Sequence, residues 1–361
     1  MSIVFILSLG VVTAVLGAGL TLVFLWITRL KKYGQPVGHL PKVSILVAAR
    51  NEEKNIRECL KSLAALHYPQ DKYEVLVGDD HSTDRTFEIA SALCEDHPQI
   101  KVVKIGENLG YARGKANALA HLAREATGEF YFITDADCRV RRDWIQSLLS
   151  AQDIPVGIVI GTTAVDSPWQ NMEWLLALGM IKVFSDLGRP VTAMGNNMYI
   201  TKEAYDSVGG YEAVPFSVTE DYELYKQVKK KGYLTRQVVN EGSLAITKPA
   251  PTLAKLMQQR RRWMQGGVQL PPLTLLFLLL QVLYYPALIF IGIHSWPLGL
   301  SIFLLKSSAQ ALLIGLVAYQ VKRPVPWVQL VFFEFYSAAI AWLTSLYYIL
   351  PFKVEWKGRK Y

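Results

Sequence analysis

Cysteine and histidine are scarce in this chain: three of the first and six of the second in 361 residues. Cys59, Cys94 and Cys138 make no CxxC pair and no zinc spacing with the histidines. That argues against disulfide-stapled and zinc-held folds and for reduced thiols in a cytosol-facing domain. A cleaved leader is not expected, because it would need a basic start and a shorter apolar core than the run behind Met1-Ser2-Ile3-Val4. A Walker phosphate loop fails in Gly110-Tyr111-Ala112-Arg113-Gly114-Lys115, where the glycines are one residue too close and Ala116 replaces the required hydroxyl. Lys115 can still approach a diphosphate from the start of the helix it opens.

What is abundant is apolar length at both ends of the chain. Residues 3–27 are apolar and uncharged, enough to cross a bilayer. The basic residues follow that run, so the positive-inside rule puts the N-terminus outside and residue 29 onward in the cytosol. Three further candidate spans cover 270–293, 298–319 and 328–350, with Lys306 and Glu334 inside them as an expected bridge or as two separately snorkelling charges. Three spans leave the basic tail 353–361 outside, against the same rule, so either the rule is overridden here or one segment is re-entrant. Much of the +8 formal charge sits beside apolar runs, as in Arg260-Arg261-Arg262, which suggests lipid headgroups before nucleic acid. No obligate protein partner is evident. The expected address is the inner (cytoplasmic) cell membrane.

Between residues 43 and 242 apolar runs alternate with amphipathic stretches. Strands are expected at 43–49, 73–78, 101–105, 130–133, 156–163 and 198–200, and helices at 55–66, from 84 or 85 to 94, and at 115–126. The fold class is α/β with a mainly parallel sheet, whose ligands gather at the carboxyl ends of the strands. Residues 168–187 are apolar but interrupted by Lys182 and Asp186, the mark of an interfacial or core helix rather than a span.

Chemistry concentrates at the strand ends. Asp135 and Asp137 close the run 130–133, and residues i and i+2 of an extended chain point the same way. Paired hard oxygen ligands suit Mg2+ or Mn2+, which in turn bridge diphosphate oxygens. Asp79 and Asp80 end another strand, either as turn residues or as acceptors for the imide N–H of uracil. Thr219 is placed to cap a helix whose first turn holds Glu220 and Asp221, and an N-terminal carboxylate stays ionised, ready to take a proton from a hydroxyl. Gln259, Arg262 and Trp263 share one helical face, where arginine can neutralise a diphosphate and the indole can wall a sugar or acceptor. Arg260 and Arg261 read as a juxtamembrane basic cluster.

With these residues assembled, the stretch 43–263 resembles the family 2 glycosyltransferases. These are membrane-anchored GT-A enzymes such as cellulose, hyaluronan and poly-N-acetylglucosamine synthases, with ceramide glucosyltransferase a related case. The resemblance rests on the strand 43–49 with Arg50-Asn51-Glu52, on Asp79-Asp80-His81-Ser82-Thr83-Asp84, on Asp135-Ala136-Asp137, on Thr219-Glu220-Asp221 and on Gln259-x-x-Arg262-Trp263, in that order. It departs at His81, where glycine or asparagine is common. The resemblance implies a GT-A domain at 33–245, an anchor at 1–32, an interfacial segment at 246–269 and a transmembrane region at 270–361. It implies Asp79 and Asp80 on the uridine, and Asp135 and Asp137 on the diphosphate through Mg2+ or Mn2+. Asp221, with Glu220 beside it, becomes the base. Lys115, Gln259, Arg262 and Trp263 stand on the donor, and Asn196, Asn197 and Trp263 on the acceptor. The implied reaction moves a sugar from a nucleotide-diphosphate sugar to a lipid or glycan with inversion. A processive synthase that secretes its chain and a catalytically dead scaffold are the alternatives.

Overall fold

The computed structural model describes residues 2–33, 38, 40–267, 269, 272–350, 355–356 and 359–360. The tail 353–361, and with it the expectation about its side of the membrane, lies mostly outside them. Helix α1 (Ile3–Arg29) starts behind Ser2, whose hydroxyl accepts from the Phe5 N–H. Then come β1 (Val43–Ala49), α2 (Ile56–Ala64), β2 (Tyr73–Asp79), α3 (Thr86–Asp96), β3 (Ile100–Lys104), α4 (Lys115–Glu125) and β4 (Phe130–Asp135). The chain continues through β5 (Arg139–Val140), α5 (Trp144–Leu149), β6 (Val156–Ile160), β7 (Thr162–Val165), α6 (Pro168–Asp186), β8 (Asn197–Thr201), α7 (Lys202–Ser207), α8 (Gly210–Ala213) and α9 (Glu220–Lys230). Strands β9 (Leu234–Gln237) and β10 (Leu244–Thr247) complete the α/β part, and helices α10 (Leu253–Gly267), α11 (Pro272–His294), α12 (Trp296–Gln320) and α13 (Trp327–Ile349) follow.

Among the described residues the main sheet runs β3-β2-β1-β4-β8-β6-β9, and a smaller one runs β5-β10-β7. Strands β1 to β4 pair in parallel, while β8 runs antiparallel to both β4 and β6. Alternation along β1 sends Val43, Ile45 and Val47 to one face, under Ile56, Leu60 and Leu63 of α2. Leu46 goes to the other face, under Leu119 and Leu122 of α4. Burial on both faces is what makes the strand read as a continuous apolar run. Register does the rest: Ala49 pairs with Asp79 and Ala48 with Asp135, so both acidic strand ends reach one edge. That edge lies where the strand order reverses beside β1, the usual place for a ligand crevice in an open α/β sheet.

The run 156–163, expected as one strand, is two. At Gly161 the chain leaves the main sheet for the smaller one, and a Cβ there would run into the Asn197 carboxamide. No side chain but hydrogen fits.

Four helices among the described residues are long and apolar enough to cross a membrane: α1, most of α11, α12 and α13. Lys306 of α12 and Glu334 of α13 do pair, and the Tyr285 hydroxyl donates to the same carboxylate. Helix α6 packs Met172, Leu175 and Val183 against Leu313, Ile314 and Val317 of α12 and Trp26 of α1. The charges that interrupt its apolar run are buried for a purpose: Lys182 donates to Asp186 Oδ1 (2.6 Å) and to the Lys31 carbonyl, and Asp186 accepts the Lys31 N–H. The chain leaving α1 is thereby pinned to the α/β part.

Candidate active site

One cleft gathers most of the residues singled out above. Asp80, Lys115, Asp135, Asp137, Asn196, Glu220, Asp221, Gln259, Arg262 and Trp263 all line it. Asp80 stands one residue beyond β2, its N–H bonded to the Ala49 carbonyl at 2.8 Å. His81 follows with φ +57°, a left-handed turn residue that swings the chain away toward α3.

Lys115 is the electrostatic hub. Gly114, at φ +56°, turns the chain so that α4 begins at Lys115. The ammonium lies 2.6 Å from Asp135 Oδ1 and 3.2 Å from Glu220 Oε1, and donates to the Gly195 carbonyl at 3.1 Å. Burial works against its charge, but Asp135, Glu220 and Asp221 outweigh burial and raise its pKa well above the ordinary lysine value.

Asp221 is held at both oxygens. Oδ2 accepts the Gly195 N–H at 2.7 Å and Oδ1 the Tyr222 N–H at 2.8 Å. The expectation that a helix N-terminus keeps it readily ionised is reversed in direction. Burial, then Glu220, push its carboxyl up, and Lys115 with the two backbone donors offsets this only in part. Thr219 occupies the N-cap position without a side-chain capping bond; its hydroxyl meets Ser217 instead.

Several expectations need correction. Asn197 cannot touch an acceptor: it is fully buried, its Oδ1 accepting the Trp144 indole N–H (2.8 Å) and its Nδ2 donating to the Thr162 and Ser243 carbonyls. It fastens the two sheets together, while Asn196 lines the cleft. Asp79 is buried below the edge, with Oδ2 accepting the Ser82 N–H at 3.3 Å, and Asp80 alone of that pair lines the cleft. Arg260 and Arg261, expected as a juxtamembrane basic cluster, both have partners within the protein. Arg260 pairs with Glu173 at 2.7 Å, and Arg261 donates to the carbonyls of Tyr347 and Leu350.

The sequence reading also missed residues. Arg50 lines the cleft and donates to the Asp80 carbonyl at 2.7 Å, and Glu52, Gln170, Trp174 and Lys248 line it as well. For Arg50 and Glu52 the signal was there, since they directly follow β1 at the same edge as Asp80. Cys59 and Cys138 are buried near Asp135 and Asp137, and burial first, then those acids, raise their thiol pKa values well above normal. They are inert neighbours.

A family described as glycosyl transferase family 21 matches residues 9–361. A beta-monoglucosyldiacylglycerol synthase of Synechocystis is 31% identical over 242 residues, which cover 63% of this chain and 48% of that protein. A poly-beta-1,6-N-acetyl-D-glucosamine synthase of Staphylococcus aureus is 29% identical over 246 residues, 66% of this chain and 57% of that one. The chain thus spans about half the length of the curated relatives it matches. Among solved structures, a mannosyltransferase from Pyrobaculum calidifontis, determined with GDP-Man and Mn2+, superposes with a TM-score of 0.63 at 23% identity. That match covers 89% of this chain and 99% of the other. The likeness shows the fold, a GT-A type α/β domain. The motif resemblance therefore holds at the level of GT-A glycosyltransferases, under a family number other than 2. By a match running over nearly its whole length, the chain belongs to glycosyl transferase family 21.

Proposed function

We propose that the protein is an inverting glycosyltransferase that moves a sugar from a UDP-sugar to a lipid acceptor at the cytosolic face of the inner membrane. The observation that carries this is the position of Asp221, a carboxylate fixed at both oxygens beside Lys115 and Glu220 in the same cleft as Asp80, Asp135, Asp137, Arg262 and Trp263. The beta-linked products in the names of the relatives support inversion, because nucleotide sugars of this class are α-linked. Four spanning helices and the diacylglycerol in the name of three relatives support a lipid acceptor. In this reading residues 1–32 anchor the chain, 33–245 catalyse, 246–269 form an interfacial segment and 270–361 return to the bilayer.

Asp135 and Asp137 fit a hard divalent cation, being carboxylates one residue apart at a strand end and on the cleft. Among the described residues no three acids, histidines or cysteines form a complete metal cage. Such a set suits an ion whose shell is finished by phosphate oxygens and water. When bound, Mg2+ or Mn2+ would neutralise charge on the departing diphosphate.

The protein's own groups divide the remaining work. Asp80, the one acid of its pair on the cleft, receives the base. Lys115 and Arg262 supply positive charge to the diphosphate, and Gln259 faces the donor from α10. Asp221 takes the proton of the acceptor hydroxyl as that oxygen attacks the anomeric carbon, with Glu220 keeping Lys115 near it. The raised pKa of Asp221 makes it a stronger base than an ordinary aspartate. Trp263, next to Trp174, walls the acceptor side along with Asn196. One base and one electrophilic leaving-group site need no covalent nucleophile.

Asp221→Asn tests the assignment. Transfer from UDP-sugar should be lost while UDP binding survives, and unchanged turnover would remove Asp221 as the base. A polysaccharide product is the second reading, favoured by the poly-N-acetylglucosamine synthase relative. A ladder of oligomers from radiolabelled UDP-sugar would establish it over single transfer.

A further inference from the structure

Arg260 and Glu173 take no part in the chemistry above, yet they form one of the more enclosed ion pairs outside the acid cluster. Each side chain is 15% exposed, with Nη2 of Arg260 2.7 Å from Oε2 of Glu173. Burying an ion pair is a poor route to stability, because the lost hydration offsets most of the attraction. What the pair does achieve is geometry. The Arg260 guanidinium lies 4.6 Å from the centroid of the Trp263 ring. Trp174, the residue after Glu173, meets Trp263 edge-on at 5.3 Å. The indole is therefore held by the Arg260 guanidinium over its ring and by Trp174 in a T-shaped contact, and both holds are set from α6.

The same Glu173 oxygen accepts the Tyr336 hydroxyl at 3.1 Å, and the Tyr336 ring lies tilted against Trp169 at 5.1 Å. Trp169 and Glu173 stand four residues apart, on one face of α6. Arg261 adds a second fastening, donating to the Tyr347 and Leu350 carbonyls at the end of α13. Gln259, Arg262 and Trp263 of α10 line the cleft, while Arg260 reaches Glu173 of α6 and Arg261 grips α13, an apolar helix long enough to lie in the membrane.

We infer that Glu173 and Arg260 are positioning residues that fix the Trp263 indole as the acceptor-side wall of the cleft, and that Tyr336 ties this wall to the membrane helix α13. The assignment of Trp263 to the acceptor rests on the function proposed above; the pinning of the indole does not. Lysine cannot replace Arg260, since an ammonium lacks the flat guanidinium face that lies over the indole.

The test uses the full chain in lipid nanodiscs, labelled with 5-fluorotryptophan, with the Trp263 and Trp144 resonances assigned from Trp263→Phe and Trp144→Phe. In Glu173→Gln and Arg260→Lys the Trp263 line should shift and broaden, while the line of Trp144, buried in the α/β core, stays in place. With UDP-glucose and dioleoylglycerol as probes, KM for the lipid should rise about tenfold, and UDP affinity in the presence of Mn2+ should change less than about twofold. A stationary Trp263 line in both variants overturns the inference. So does a Trp144 line that moves as far as that of Trp263, because the pair would then hold the fold at large. If the wild type transfers nothing to dioleoylglycerol, the acceptor reading fails, and the resonances alone decide whether Glu173 and Arg260 place the indole.

Discussion

Replacing Lys115 with methionine removes a cation from the middle of the acid cluster while roughly keeping the side chain's length. At 2.6 Å and an effective dielectric of about 20, its attraction to Asp135 is about 6 kcal/mol before desolvation is charged against it. Truncating one partner of a buried pair costs about 3–5 kcal/mol. The lower end applies here, because the Asp135 side chain is 36% exposed and partly screened. Two consequences can be read separately. UDP at saturating Mn2+ should bind about 10- to 150-fold more weakly by titration calorimetry, the equivalent of one charge-assisted hydrogen bond of about 1.5–3 kcal/mol. Mn2+ without nucleotide, followed by the loss of its free electron paramagnetic resonance signal, should bind more tightly, since Asp135 no longer holds a resident cation. UDP affinity equal to that of the wild type would refute the reasoning, because the ammonium would then contribute nothing to the diphosphate.

Other perturbations separate structural from chemical roles. Asn197→Ala removes hydrogen bonds to Trp144, Thr162 and Ser243 and should cost about 2–4 kcal/mol in denaturant unfolding, with UDP affinity unchanged. Lys306→Met should destabilise by about 3–5 kcal/mol in detergent, and adding Glu334→Met should restore most of the loss. The raised pKa of Asp221 places the acidic fall of kcat/KM at higher pH than an ordinary aspartate would give, measured as a pH–rate profile. For stability the sign is opposite to that of a salt-bridged acid: a raised folded-state pKa contributes stability below the unfolded value, which is lost as pH rises through the folded one. Asp221→Asn should therefore melt no lower than the wild type at neutral pH, even as it loses transfer.

Local periodicity carried much of the fold into view. The strands around β1, β2 and β4 are buried on both faces and read as unbroken apolar runs, and α1, α11, α12 and α13 have spanning length in their composition alone. The acids at 80, 135 and 137 were legible because strand ends in such a sheet share one edge. Choices between neighbours were not. Asn196 and Asn197 differ by one position, and only the crossing of β8 with the chain at Gly161 decides which carboxamide is buried. Asp79 and Asp80 divide the same way, by where β2 stops. Arg260 and Arg261 carry the signature of headgroup-facing residues, and their partners, Glu173 and the carbonyls of α13, lie more than eighty residues away in sequence. The pKa of Asp221 depends on how deeply α9 is buried, which no short motif records.

The most direct measurement is the product itself. Purified protein in nanodiscs is supplied with UDP-glucose, Mn2+ and dioleoylglycerol, and the anomeric configuration of the lipid product is read by proton NMR. The account predicts one β-linked sugar per lipid, with UDP released in equal amount. An α-linked product, or UDP release with no sugar on any acceptor, would contradict it.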